Sequence, residues 1–368
     1  MREIIIDIET NMGASHIWCA VTKDLSTQEV KVWTEAEKLQ GFLAKESTII
    51  GHNVIGFDAP VLKKHWNIQL DNHQIKDTLV MSRLLKPTIE NGHSLRAWGQ
   101  RLGKNKDDFK DFDGGLTSEM VRYCKQDVEV TATLYKRLTN DLLGWGKSVD
   151  LEHRVALIVK QQEDTGFKLN VRQAMSLLVG WKNRINEIQC ELQQVFKPIV
   201  SVRFSEKTGK KLKDKTEVFN PASRKQIAER LMALGWQPTK HTEKGSVIVD
   251  EGTLQTIDIP QAKLIAEYLL VQKRVAQVES WIDHADHSDR VHCKVITNGA
   301  VTGRMTHSKP NLAQVPRVGN PFGKECRECW TVDEGNVLVG IDASGLELRM
   351  LAHYMRDDDY TNEILSGD

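Results

Sequence analysis

The first pattern along the chain is a run of isoleucines, at 4, 5, 6 and 8, in "EIIIDIET". This β-branched run predicts a buried strand ending in acid. Asp7 and Glu9 are two residues apart, so the period of a strand places them on one side. In "IIGHNVIGFDAPVLKKHW" (49–66), a short apolar strand runs into Gly51, His52 and Asn53. Phe57 and Asp58 then open a helix carrying Ala59, Val61 and Leu62, with Pro60 in its first turn. In "SEMVRYCKQDVEVTATLYKRL" (118–138), Val121, Cys124, Val128, Ala132 and Tyr135 recur at helical spacing. Tyr123 and Asp127 are i and i+4, so they share a helix face. Further helices are predicted from Asp150, as N-cap, to a stop at Gly166, then over 171–196, from Asn220 and Pro221 to Gly235, and over 262–282. Near the end, "NVLVGIDASGLELRMLAHYM" (336–355) predicts a short strand ending on Asp342, a turn and a helix.

The 368 residues suffice for two or three domains. Fifty basic and fifty acidic residues cancel, so no general basic field marks a polyanionic partner. The charge is uneven, however: residues 151–300 carry 23 basic against 18 acidic side chains. The most basic stretch is "RFSEKTGKKLKDK" (203–215), with six basic and two acidic residues. It reads as a turn-rich loop, either solvated or touching phosphates. "MREIIIDIE" is not a signal peptide, and no window approaches the ~20 apolar residues of a membrane span. Cys326 and Cys329 have CxxC spacing, but no second pair lies at zinc spacing, so a structural zinc is not expected.

Three of these segments carry chemistry together. Alone, Asp7 and Glu9 read as a strand end, Asp58 as an N-cap, and Asp127 as a surface acid. Taken in order, D-x-E on a strand, N-x-x-x-F-D and Y-x-x-x-D on a late helix resemble the three motifs of the tyrosine-containing DEDD 3′–5′ exonucleases. That resemblance implies a ribonuclease-H-like α/β domain, with Asp7, Glu9, Asp58 and Asp127 as acids and Tyr123 beside the attacking water. It implies two Mg²⁺ ions, with Mn²⁺ as a substitute. Asp7 would bridge the metals, Glu9 and Tyr123 would position the water, and Asp58 and Asp127 would complete the shells. His52 and Asn53 would line the pocket, Asn53 against the nucleic acid. Carboxylates and water suit a hard divalent ion, where thiolates would not.

A second set of motifs lies downstream. T-G-R at 302–304, P-N-L-x-Q-x-P at 310–316 and D-A-S-G-L-E-L-R at 342–349 resemble the family A DNA polymerases, and most closely the replicative enzymes of short-tailed bacteriophages. "EHR" at 152–154, "FNPASR" at 219–224 and "YLLVQKR" at 268–274 resemble the same group. The resemblance implies an exonuclease domain over 1–148, a helical thumb over 149–290 and the start of an α+β palm over 291–368. It assigns Asp342 to the polymerase metals, Glu347 to exclusion of a ribose 2′-hydroxyl, and Arg304 and Gln314 to the minor groove of a primer–template. The minor-groove acceptors are common to all base pairs, so DNA could be held there without reading sequence.

The resemblance also leads one to expect a His-Asp-Glu motif and a fingers helix after Asp342, and the sequence stops at "EILSGD". The expectation is therefore a proofreading exonuclease that needs a second polypeptide, with the fingers and remaining palm, for DNA synthesis. An interrupted gene or a shortened sequence, a stand-alone nuclease and a non-catalytic scaffold are the alternatives. Only about 20 residues, 198–218, stand where thioredoxin-recruiting phage relatives carry a long thumb insertion, so thioredoxin is not expected as a partner. The implied location is the cytoplasm of an infected bacterial host.

Overall fold

The fold is built on β1 (Arg2–Thr10), the central strand of a five-stranded mixed sheet. The computed structural model describes all residues except 1, 71–72, 106–107, 205–206 and 367–368. β2 (Ile17–Asp24) and β3 (Val30–Trp33) run antiparallel on one side of β1. β4 (Ser47–Gly51) and β5 (Gln74–Asp77) run parallel on the other, giving the order β3-β2-β1-β4-β5. α1 (Ala36–Phe42), α2 (Asp58–Trp66), α3 (Thr78–Leu85), α4 (Leu95–Arg101) and α5 (Ser118–Asp141) connect and cover these strands.

Strand alternation decides which layer each β1 residue serves. Ile4, Ile6 and Ile8 pack with Leu39 of α1 and Leu62 of α2. Ile5 points the other way, into a cluster with Cys19, Val21 and, from α5, Cys124 and Val128. Asp7 and Glu9 continue the Ile5 side, so the pleat aims them at the helix that carries Tyr123 and Asp127. β1 and β4 are parallel neighbours whose flanking strands lie on opposite sides. Their carboxyl ends meet where the sheet's connections diverge, the usual place for a ligand crevice in an open α/β sheet.

α6 (Gly146–Thr165) follows and packs against both β5 and the downstream strands. It starts before Asp150, which is not an N-cap but pairs with Lys76 of β5 at 2.8 Å. Gly166, at φ +66°, ends it as predicted. Beyond lie β6 (Phe167–Leu169), α7 (Val171–Val195), β7 (Ile199–Phe204), β8 (Lys211–Glu217), α8 (Arg224–Ala233), α9 (Glu251–Gln255) and α10 (Pro260–Asp283). α7 and α10 pack together, with Arg184 held bidentate by Glu267 at 2.7 and 3.0 Å. The capped helix expected at Asn220 begins at Ser223 instead, whose side chain accepts from Gln226 N–H; Asn220 makes a turn with Ala222. The basic stretch expected as a loop forms the arms of a β7–β8 hairpin, exposed along nearly its whole length.

The last part comprises β9 (Arg290–Val291), β10 (Lys294–Ile296), β11 (Thr306–Ser308), a 3-10 turn at Leu312–Gln314, α11 (Gly323–Glu328), β12 (Trp330–Thr331), α12 (Leu346–Met355) and α13 (Asp358–Ser366). Cys326 and Cys329 are fully buried in an apolar cluster with Trp281, and burial pushes both thiols up to about 11. They are core residues. The strand expected to run into Asp342 is not formed: residues 336–343 are irregular, with Val337 81%, Leu338 70%, Val339 73% and Ile341 94% exposed. A strand needs a ladder partner for its backbone groups, and no described strand pairs with this run. The helix after it does form. Among the described residues, no helix is long and apolar enough to cross a membrane.

Candidate metal centre

A cleft of about 300 Å³ opens at the carboxyl ends of β1 and β4. Asp7, Glu9, Asn53, Asp58, Tyr123 and Asp127 all line it. So three segments far apart in sequence meet as the motif order implies. Asp7 and Glu9 arrive on β1. Asp58 arrives at the first position of α2, delivered by the 52–57 turn. Gly51 makes that turn possible, since a Cβ there would sit 2.7 Å from Val54 Cβ. Tyr123 and Asp127 come from one face of α5. Asp58 is not the N-cap; Phe57 holds that position, and Asp58 Oδ1 accepts the Ile8 N–H at 3.1 Å, tying α2 to β1.

The acids are crowded. Glu9 is 6% exposed, and Asp58 and Asp127 are 4% exposed each. Burial pushes the Asp58 carboxyl up to about 7, and the Asp77 and Asp127 carboxylates add to the rise. Like charges in a dry site cannot all ionise without a compensating cation. The oxygen donor set therefore fits hard divalent ions such as Mg²⁺. One soft donor intrudes: Cys124 Sγ lies 3.4 Å from Asp7 Oδ2, and Asp7, Glu9 and Cys124 are the grouped ligands among the described residues. Burial and the Asp7 charge hold that thiol well above its usual range, so it stays protonated.

The crowding has a measurable consequence. The ordinary value for Asp58 is 3.8, so its raised folded-state value contributes stability that is complete below about pH 4 and lost as pH rises through about 7. In EDTA, Asp58→Asn is expected to gain stability relative to the wild type across that window, on the order of a few kcal/mol. Mg²⁺ at pH 8 should shrink the difference. Thermal unfolding of both proteins from pH 4 to 8 checks this, and a pH-independent difference would contradict it.

Met12, Phe57 and Phe112 also line the cleft. Met12 is 73% and Phe57 37% exposed. Phe112, Phe109 and Tyr123 form a three-ring cluster: Phe109 lies 5.0 Å from Phe112 and 5.7 Å from Tyr123, and Phe112 lies 6.2 Å from Tyr123, centroid to centroid. The 109–113 loop is pinned over the cleft by Trp18 Nε1 donating to Phe112 O at 2.8 Å and Met12 N to Asp113 Oδ1 at 3.0 Å. Sequence reasoning missed these rim residues and Cys124's contact with Asp7. Their only signals were aromatics set in a polar loop and a cysteine next to Tyr123.

The downstream site residues do not converge. Asp342 is exposed and belongs to no ligand group among the described residues. Arg304 and Glu347 pair with each other, with side chains 74% and 81% exposed, a contact worth little in water. Gln314 sits in the 3-10 turn, where its carbonyl accepts from Gln277 Nε2 at 2.9 Å beside a groove that includes Lys273 and Arg274.

Comparison with known proteins fits this division. Residues 1–143 match the 3′–5′ exonuclease family, and residues 196–368 match DNA polymerase family A. The chain is similar to the DNA-directed DNA polymerase of Escherichia phage T7, at 30% identity over 99% of this chain and 71% of the relative. For the enzyme of Enterobacteria phage T3 the identity is 31%, with the same coverage. Both alignments span 503 positions, so the relatives carry insertions within the shared region. Among solved structures, the POL domain of Pol1 from M. smegmatis, in complex with DNA primer-template and dNTP, superposes with a TM-score of 0.76 at 16% identity. The match covers 99% of this chain and 61% of that one. With both families matched in order and a phage relative at 30% identity aligned over 99% of this chain, the chain belongs to the family A DNA polymerases that carry a 3′–5′ exonuclease domain.

Proposed function

We propose that this chain is a metal-dependent 3′–5′ proofreading exonuclease on DNA, forming the N-terminal part of a phage replicative polymerase. The observation that carries the reading is the convergence of carboxylates from β1, α2 and α5 on one open cleft. A sheet ordered β3-β2-β1-β4-β5 with helices on both faces suits a ribonuclease-H-like domain over 1–148. The thumb would occupy 149–290 and part of a palm 291–368.

Asp7, Glu9, Asp58 and Asp127 would hold two Mg²⁺ ions. When bound, such ions supply a hydroxide at neutral pH and relieve charge on the leaving oxygen. The protein's own groups do the rest. Asp7 and Glu9, side by side on the pleat, set the width of the site. The Tyr123 hydroxyl, on the same face as Asp127, orients the attacking water. Met12, Phe57 and Phe112 offer apolar surface on which unpaired bases stack, which favours a frayed 3′ end over a duplex. Asn53, held by the turn after β4, borders the same strand. The test is the release of nucleotides from the 3′ end of a 5′-labelled strand in Mg²⁺. A strand left intact would overturn the reading.

For the polymerase segment, DNA primer–template is the proposed partner. The β7–β8 hairpin is the proposed non-specific phosphate-binding element. It carries Lys207, Lys210, Lys211, Lys213 and Lys215 on an exposed ribbon. Replacing Lys210, Lys211, Lys213 and Lys215 with glutamate is expected to weaken duplex binding at least about tenfold at low salt. It should also flatten log K against log[salt] by about one unit for each phosphate no longer neutralised. Fluorescence anisotropy at several salt concentrations reads both effects, and an unchanged slope would discard the hairpin as a DNA-binding element.

A further inference from the structure

Helix α6 spans the two parts of the chain, and its ties to each are specific. Toward the downstream segment, Glu152 Oε2 accepts from Asn298 Nδ2 at 2.8 Å and Glu163 Oε1 from Val295 N at 2.9 Å. Toward the exonuclease sheet, His153, 6% exposed, meets Asp77, 1% exposed, at the end of β5. The Asp77 N–H donates to His153 Nε2 at 2.7 Å, and His153 Nδ1 faces Val149 O at 2.7 Å. The two partners select one neutral tautomer, with the proton on Nδ1 and the lone pair on Nε2.

The Asp77 carboxylate is committed elsewhere. Oδ1 accepts from Asn53 N and Leu79 N, both at 2.9 Å, and Oδ2 accepts from Ile55 N at 3.1 Å. The first and third of these donors belong to the turn that lines the cleft. Asn53 sits there at φ +64°, in the left-handed region that asparagine adopts more readily than most non-glycine residues. The carboxylate anchors its N–H, and the turn then closes on itself through Phe57 N to Asn53 O at 2.9 Å. One buried residue therefore fixes Asn53 and Phe57 from below, and one imidazole on α6 fixes that residue.

We propose that Asp77 and His153 are positioning residues of the exonuclease, a hydrogen-bonded joint through which α6 holds the Asn53–Phe57 turn against the bound strand. The inference rests on the exonuclease reading above. His153 is not among the residues that line the cleft, so its effect is transmitted through Asp77 to the turn. A buried N–H that loses its acceptor is costly, and groups that orient first-contact residues typically matter 10- to 100-fold.

The test uses the full chain and two substrates. The p-nitrophenyl ester of thymidine 5′-monophosphate needs the carboxylate centre and little of the turn. A single-stranded oligonucleotide needs both. His153→Leu is expected to lower oligonucleotide hydrolysis at least tenfold more than ester hydrolysis. His153→Gln, whose side-chain oxygen can accept from the same N–H, should recover most of the ratio. Parallel losses on both substrates, an unchanged ratio, or no rescue by glutamine would overturn the joint. Thermal unfolding of both variants separates misfolding from mispositioning. A wild-type chain that cleaves neither substrate overturns the exonuclease reading itself, and the joint with it.

Discussion

Asp7→Ala is expected to abolish shortening of a 5′-labelled strand, with a fall of at least about 10³ in rate. Divalent ions contribute several kcal/mol of charge stabilisation in phosphodiester hydrolysis, and each 1.36 kcal/mol is tenfold. Asp7 is where that contribution concentrates. It stands on the side of β1 facing α5, next to Glu9 on the same pleat, and lines the cleft with Asp58 and Asp127. Without it the remaining acids come from three different elements, and none takes its place on the pleat. The substitution should be mild for the fold, because Asp7 is half-buried at the strand's polar end while Ile4, Ile5 and Ile6 carry the packing. Gel analysis of product length in Mg²⁺, with unfolding temperature as a control, decides it. Residual digestion above about a tenth of the wild-type rate would move the metal-binding role to other acids.

The centre is legible in sequence because each acid rides on a regular element. The period of two places Asp7 with Glu9, and the i, i+4 relation places Tyr123 with Asp127. Residue roles set by tertiary contact are not legible. Asp77 belongs to none of the motifs, and only the fold shows that it caps α3 and that its other lone pairs hold the turn after β4. Cys124 reads as one more apolar position on α5, yet it ends beside Asp7. The hairpin is masked because lysines dominate the stretch, although Ile199, Val200, Val202 and Phe204 supply a strand signal. The opposite holds at 336–342, where a good strand pattern meets no neighbour to pair with. Pattern predicts a strand's propensity, but the ladder comes from elsewhere in space.

That same segment governs the second large effect. Given primer–template, Mg²⁺ and all four deoxynucleotides, the 368-residue chain is expected to shorten the primer and not to lengthen it. Nucleotidyl transfer by a two-ion mechanism needs ligands that clamp both ions around the attacking and leaving oxygens. Asp342 is exposed, sits in an irregular segment and joins no other acid among the described residues. Glu347 and Arg304 are engaged with each other in solvent. The apolar residues before Asp342 (Val337, Leu338, Val339 and Ile341) are 70–94% exposed, so little packing fixes its position. A ligand on such a segment lacks the fixed geometry that positions reacting groups. Exposed apolar runs of this kind also mark surfaces that other polypeptide covers. Asp342→Ala should therefore leave the 3′ digestion intact. Extension by the chain would mean that other residues supply the second metal site.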